Sequence, residues 1–533
     1  MKAFHIDMNI AQFTRSYLEH WLRELAGLGY DAVIWEVENN IQWETCPECV
    51  APDAFSKEAF RGLLSLCGEL GLESIPLLQT IGHAEYVLKH AQYEHMKETP
   101  ERIDQYCPRN PEVLPFLKQW IGEYLDLFGE VNYFHIGADE AWALGVCDRC
   151  RAFVDEHSLS ELYIQHINAV SEPLIARGIT PIIWADMVLK HGEALDKLSR
   201  NVMLFDWLYD IYPALGKVFV WEGRYGTFYT KDELPPEVRT RFDGALFPFG
   251  DEPGREPETF YTVDYLAQQG FKVVTCPASS SVGDSVFTPR NWYHMINTFG
   301  WVRKGLSPHL HGSAQTSWTV RQFMWELQAA SIDMLPYLHR HTEASIEEYQ
   351  RHFMNERFGV DDEVFWRACG LLSNPCLFST SSTLGFYKDA RRVPRDFVKK
   401  MMARLVEEKR LDAQIDNTAQ RLEEYRAALP LFAAFAGKAK KGQETLDIWN
   451  LMARNLVNRA EAALFLLRHE KNGLEAVSEE DGGRILETLR GLKKETSSFY
   501  SSVQKPTRCN EIIGWVFDSV EHALAECVEK QQR

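Results

Sequence analysis

Eight short apolar runs, each separated from the next by an amphipathic stretch, set the strongest limit on how the first two thirds of this chain can fold. The runs are residues 3–8, 31–37, 73–79, 131–137, 180–185, 202–207, 272–276 and 311–318. Between most of them lie helical patterns, over residues 14–28, 57–70, 111–128 and 161–177. Alternation of this kind places parallel strands under a cover of helices. Eight repeats across about 340 residues fit an α/β fold of the (β/α)8 (TIM) barrel type. A doubly wound open sheet is the alternative, and the missing glycine-rich phosphate fingerprint after the first run counts against it. Residues 217–222 and 245–247 read as extra strands, a hairpin inserted after the sixth.

The texture changes near residue 342. Strand patterns stop, and residues rich in Ala, Leu, Glu, Lys and Arg recur with helical periodicity. The expected organisation is a catalytic barrel over residues 1–340 and an all-α C-terminal domain over 341–533. Its expected helices are 347–358, 397–417, 418–429, 444–471, 479–501 and 510–530, with Pro430 ending or kinking the third. The roles open to this region are buttressing the barrel, completing the rim of its site, or forming a homodimer.

A barrel collects its chemistry at the C-terminal ends of its strands, and here every such end is polar or aromatic. The first carries His5, Asp7 and Asn9. The second carries Glu36 and Glu38, the third Gln79 and His83, and the fourth Asp139 and Glu140. The fifth carries Trp184 and Asp186, the sixth Asp206, Trp207 and Tyr209. The seventh runs into Ser279-Ser280-Ser281 and the eighth ends in Thr316, Ser317 and Trp318. Adjacent acids on a strand point to opposite faces, so Asp139 and Glu140 share a pocket only if the chain bends, which Gly137 permits. Paired carboxylates suit glycosidic bond cleavage, which needs an acid for the leaving oxygen and a second group to stabilise the positive anomeric carbon. Adjacent ones suit a substrate whose own 2-acetamido group is the nucleophile. The 15 Trp supply apolar platforms of the kind sugar sites use.

The segment His135-Ile136-Gly137-Ala138-Asp139-Glu140 resembles the His-x-Gly-Gly-Asp-Glu motif of glycoside hydrolase family 20, the β-N-acetylhexosaminidases, with Ala138 in place of the second Gly. The hexosaminidase D-like branch is the more similar one. The run from Ile75 to His83, followed by Glu85-Tyr86-Val87, resembles that branch's third strand. Ile183-Trp184-Ala185-Asp186-Met187 is similar to its Trp-Asp-Asp-Met, and Gln315-Thr316-Ser317-Trp318 with Trp325-Glu326-Leu327 to its eighth strand and following helix. The resemblance implies an exo-acting retaining hydrolase working through an oxazoline on terminal β-linked GlcNAc or GalNAc, with no catalytic cofactor. It implies Glu140 as acid/base, Asp139 as the group that orients the acetamide, and His83 bonded to the catalytic acid. Glu38, ahead of Glu36, would complete a relay with His83. Trp184, Trp207 and Trp318 would wall the pocket, Tyr209 would hold the acetamide oxygen, and Glu326 would bind outer hydroxyls. The larger branches place an Arg near the end of strand one. Here Arg15 stands six residues past Asn9, so His5, Asp7 and Asn9 are the residues available for hydroxyls. An endo-acting or disaccharide-releasing hydrolase of 2-acetamido sugars, or a non-catalytic sugar-binding protein, would share these features.

A formal net charge of −19 argues against a nucleic-acid or anionic-membrane partner. The N-terminal residues do not read as a signal peptide, so the expectation is a cytoplasmic protein whose 11 cysteines are reduced thiols or metal ligands. Cys46-Pro47-Glu48-Cys49 and Cys147-Asp148-Arg149-Cys150 are two Cys-x-x-Cys knuckles expected on loops of one barrel face. Together they could hold a structural zinc, with Cys107 as a further contributor; a disulfide is the less favoured reading in that compartment.

Overall fold

The computed structural model of the chain describes residues 1–223, 225–252, 254–384, 395–473 and 478–531. Eight parallel strands form the barrel: β1 (Lys2–Asp7), β2 (Ala32–Glu36), β3 (Glu73–Leu77), β4 (Tyr133–His135), β5 (Thr180–Trp184), β6 (Met203–Trp207), β7 (Lys272–Cys276) and β8 (Ser313–Ser317). Each pairs with the next in chain order, and β1 pairs back onto β8 through Lys2↔Ser313 and Phe4↔Gln315, which closes the barrel. Closure explains why the runs read as nearly continuous apolar segments: both faces of each strand are buried. One set of alternate residues fills the lumen, including Ala3, Ile34, Ile75, Leu77, Ile182, Phe205 and Val274. The other set, such as Phe4, Val33, Phe134 and Leu204, packs beneath the helices.

After β6 the chain makes an antiparallel hairpin of Val218–Val220 with Thr227–Tyr229. Residues 245–247 are not its second strand. Ala245 and Leu246 belong to a short helix, Asp243–Leu246, and pack with Phe247, Val218 and Val220 in a small satellite core. An apolar run of three residues buries equally well in either conformation, so its pattern cannot decide between them.

From Ala329 onward the described elements are all helices. The long ones are Leu411–Ala436, Gln443–Asn472, Glu479–Val503 and Pro506–Gln531. The break expected at residues 417/418 falls instead between Glu407 and Leu411, where Lys409 takes a left-handed φ of 55°. Pro430 does not end its helix, which continues to Ala436. A helix Val364–Leu372 adds to the expected set. The helical region docks on the loop after β1: the Thr14 amide donates to the Val503 carbonyl, the Gln12 amide to Gln504 Oε1, and the Lys505 amide to the Gln12 carbonyl. No described helix is long and apolar enough to cross a membrane.

Candidate active site

Beyond β4 the chain turns sharply, and four backbone features fix the turn. The Gly137 amide donates to His135 Nδ1 at 3.0 Å, and the Trp184 amide donates to the Gly137 carbonyl at 3.0 Å. Thr80 Oγ1 donates to the Ile136 carbonyl, and the Tyr163 hydroxyl to the Ala138 carbonyl. Gly137, Ala138 and Glu140 all have positive φ, at 65°, 81° and 50°. Only the glycine adopts this region without cost, so Ala138 and Glu140 are strained by on the order of 1 kcal/mol or more each. Such strain persists only where the surroundings over-determine it, and here it bends the two acids out of strand alternation. Packing leaves no slack: a Cβ on Gly137 would lie 2.0 Å from Gln79 Oε1, and one on Gly82 would lie 2.2 Å from the Asp139 carbonyl oxygen.

The turn delivers both carboxylates to one imidazole. His83 Nε2 stands 3.1 Å from Asp139 Oδ2 and 3.2 Å from Glu140 Oε2, so one ring nitrogen lies within ion-pair distance of both carboxylates. His83 itself sits at φ 53° in the segment after β3. Asp139 is buried, whereas Glu140 keeps 36% of its side chain accessible. One acid therefore lies in the wall and the other faces the opening. Asp186 extends the group: its Oδ2 accepts the Glu140 amide at 3.0 Å. Burial and then the nearby Asp139 carboxylate push the Asp186 carboxyl well above its ordinary range. His135, buried beside His5, is held well below the usual imidazole range, first by burial, and stays neutral as the acceptor of the Gly137 amide.

The expected aromatic residues converge beside this group. Trp184, fully buried, caps the lumen with its ring centroid 6.0 Å from that of Trp318 and 4.4 Å from His135. Trp207 stacks on Tyr209 at 5.2 Å. The Tyr209 hydroxyl accepts from Trp318 Nε1 at 3.0 Å, and burial pushes its phenol well up, so it stays protonated. Trp221 closes this wall, edge-on to Trp207 at 5.0 Å. It stands next to the hairpin strand Val218–Val220, and the sequence reading missed it because only a Trp beside an inserted strand marks it.

Other expected residues are placed elsewhere. His5 is fully buried between Trp184 and Trp318, with Nε2 2.9 Å from Glu36 Oε2. Glu36 also accepts from Gln79 Nε2, so its carboxylate bridges His5 and Gln79. Asp7 is fully buried and accepts from the Asn9 amide, Asn9 Nδ2, the Thr319 amide and Thr319 Oγ1. It ties the end of β1 to the chain after β8 instead of facing a ligand. Glu38, at φ 41°, lines a cavity of about 270 Å³ together with Asn9, Lys89, Arg508 and Trp515, where the last helix meets the barrel rim. Glu326 accepts from the Tyr17 hydroxyl and Trp21 Nε1 of the first helix, Arg15–Leu28, and borders a cavity with Phe353 and Trp449. It belongs to the helical layer, not the pocket. Arg15 pairs with Glu19 on the same helix.

The four-cysteine set is also rearranged. Cys46 and Cys49 are bonded to each other as a disulfide, so they offer no thiolates. Cys147 and Cys150 converge instead with Cys107 and Glu98.

Residues 42–218 match the family model for the catalytic domain of glycosyl hydrolase family 20. That stretch contains the strained turn, both carboxylates, His83, Trp184 and Trp207. That stretch is similar to the family 20 catalytic domain. Hexosaminidase D of Homo sapiens is 31% identical over 206 residues, which are 38% of this chain and 42% of the human protein. Hexosaminidase D of Bos taurus is 30% identical over 206 residues, 59% of its length. The match thus spans less than two thirds of either relative. Among solved structures, the β-N-acetylhexosaminidase of Bacteroides fragilis NCTC 9343 superposes with a TM-score of 0.47 at 14% identity, covering 73% of this chain and 74% of that one. Ala138 stands at φ 81°, a backbone conformation that favours glycine.

Proposed function

We propose that this chain is an exo-β-N-acetylhexosaminidase that removes terminal β-linked GlcNAc or GalNAc with retention, the substrate's own acetamide acting as nucleophile. The observation that carries the reading is the pair Asp139 and Glu140 gathered within 3.2 Å of one His83 nitrogen beside the Trp184–Trp318–Tyr209 wall. Glu140, the more open acid, protonates the leaving oxygen and then takes a proton from the incoming water. Asp139, in the wall, accepts the acetamide N–H, turning its carbonyl oxygen toward the anomeric carbon and offsetting the charge of the oxazolinium. Tyr209, kept protonated, donates to that same oxygen. His83 is a positioning residue for both acids. Asp186 fixes the Glu140 backbone, and the aromatic wall takes the acetamide methyl and the sugar face. No metal or organic cofactor enters these steps.

The test compares aryl β-glycosides that carry either 2-acetamido or 2-hydroxyl groups. The reading expects hydrolysis of the GlcNAc or GalNAc substrate and neglect of the glucoside. Asp139→Asn should lower kcat on the acetamido substrate by about 10²-fold or more, the size of a lost transition-state contact. Equal turnover of the glucoside by the wild type would overturn the acetamide's role. Release of disaccharides from a short oligosaccharide would overturn the exo assignment.

A further inference from the structure

Three thiols and one carboxylate lie together beneath the loops that carry the acids. Cys107 Sγ is 3.5 Å from Cys147 Sγ and 3.6 Å from Cys150 Sγ, and Cys150 Sγ is 3.2 Å from Glu98 Oε2. The four ligand atoms all fall within 4.8 Å of one another, and Glu98, Cys107 and Cys150 are buried. The sulfurs are too far apart for a disulfide of about 2.05 Å. They are spaced as ligands are around one ion: with metal–sulfur bonds of about 2.3 Å, tetrahedral ligands stand about 3.8 Å apart.

The backbone is arranged to hold this set. Lys97 and Tyr106 form an antiparallel bridge, the Glu98 amide donates to the Gln105 carbonyl, and the Cys107 amide donates to the Met96 carbonyl, which sets Glu98 and Cys107 side by side. The second oxygen of Glu98 accepts the Val146 and Cys147 amides at 2.8 and 3.0 Å, which aims the first at the sulfurs. Cys147 caps the helix Asp148–Glu156, and its sulfur accepts the Cys150 amide. Amides that point at sulfur and carboxylate oxygen are the outer contacts that orient metal ligands.

We propose that Glu98, Cys107, Cys147 and Cys150 bind a structural Zn²⁺ as a closed Cys3Glu site. Thiolates favour zinc over the hard cations, and four protein ligands leave no open position, so the ion is structural rather than catalytic. Binding releases the thiol protons. The site joins the segment after β3, which carries His83, to the segment after β4, which carries Asp139 and Glu140. Gln105 Oε1 adds a second tie by accepting the Ala143 amide. The metal would therefore lock the imidazole and the two carboxylates into register. The binding itself does not rest on the hexosaminidase reading.

The test is the metal content of the full-length chain, purified without chelator or metal-affinity steps, by mass spectrometry of the elements. One zinc per chain is expected. Cys150→Ser and Cys107→Ser should lose it, and Cys46→Ser with Cys49→Ser should keep it. X-ray absorption should give three sulfurs at about 2.3 Å and one oxygen at about 2.0 Å. If the serine variants fail to fold, Glu98→Cys remains informative, since it should retain zinc with four sulfurs. The proposal is overturned if wild-type chain incubated with Zn²⁺ under reducing conditions stays metal-free with all three thiols open to titration. It is also overturned if the zinc depends on Cys46 and Cys49 instead.

Discussion

Gly82 is the sharpest lever on the site, because it touches the chemistry only through packing. Its φ lies outside the left-handed region, so alanine is acceptable to its own backbone. The added Cβ, however, would meet the Asp139 carbonyl oxygen at 2.2 Å, with Asp139 C at 3.4 Å and Glu140 C at 3.5 Å. The obstacle is main chain and cannot rotate away, so the segment carrying His83 and the turn carrying the acids must separate by about 1 Å, at a folding cost of about 1–3 kcal/mol. A catalytic misplacement of that size costs about 10²-fold in rate, or about 2.7 kcal/mol of transition-state stabilisation. The assay is kcat/KM on an aryl 2-acetamido-2-deoxy-β-glycoside, with thermal denaturation alongside. Gly68→Ala is the control: it sits exposed in the helix Lys57–Glu69 with no neighbour within 4 Å. It should gain roughly 0.5–1 kcal/mol and leave the rate alone. The reasoning fails if Gly82→Ala keeps kcat/KM within twofold of wild type while remaining folded.

Three further outcomes follow from the same geometry. Ala138→Gly should stabilise the chain by about 1 kcal/mol in denaturant titration, since φ 81° is strained for alanine; a loss of stability would show that the turn is not strained there. Asp206, buried and bonded to Thr262, has its carboxyl pushed up to about 7, with burial the main cause. A carboxyl raised on folding stabilises below its unfolded pKa and loses that contribution as pH rises toward 7. Asp206→Asn should therefore gain stability relative to wild type between pH 5 and pH 7 by on the order of 1 kcal/mol per unit, and a pH-independent difference would refute the assignment. Glu326→Gln should leave KM and kcat within a few fold, because Tyr17 and Trp21 occupy that carboxylate; a KM rise of 10²-fold would return it to the pocket.

The barrel was legible because closure buries both strand faces and leaves apolar runs of a length few other folds require. The sharp turn after β4 was legible through chemistry: two adjacent acids after a glycine share a pocket only if the chain bends, and Gly137 at φ 65° bends it. The direction of a polar side chain was not legible. Asp7 and Glu326 stand at or beyond strand ends as candidates do, yet one stitches β1 to the residues after β8 and the other bonds to an outer helix. Periodicity says which face a residue lies on, not which neighbour reaches it first. The same limit misassigned the cysteines. Two matching knuckles suggested a pair, but Cys46 and Cys49 bond to each other, and the partners of Cys147 and Cys150 come from the segment after β3. Cys107 was visible as a contributor. Glu98 was not, since a lone Glu in a polar loop carries no spacing signal. The residues 245–247 became helix because three apolar residues bury equally well either way.

The proposed function requires Asp139 and Glu140, gathered on His83, to perform the chemistry. Its most direct test is kcat/KM for wild type and Glu140→Gln on paired aryl β-GlcNAc and β-GalNAc substrates, with melting temperatures matched. Wild-type turnover of at least one substrate is expected, with a fall of about 10²–10⁴-fold in Glu140→Gln, the range that general acid–base catalysis contributes. Glu140→Gln turning over both substrates at the wild-type rate would contradict it.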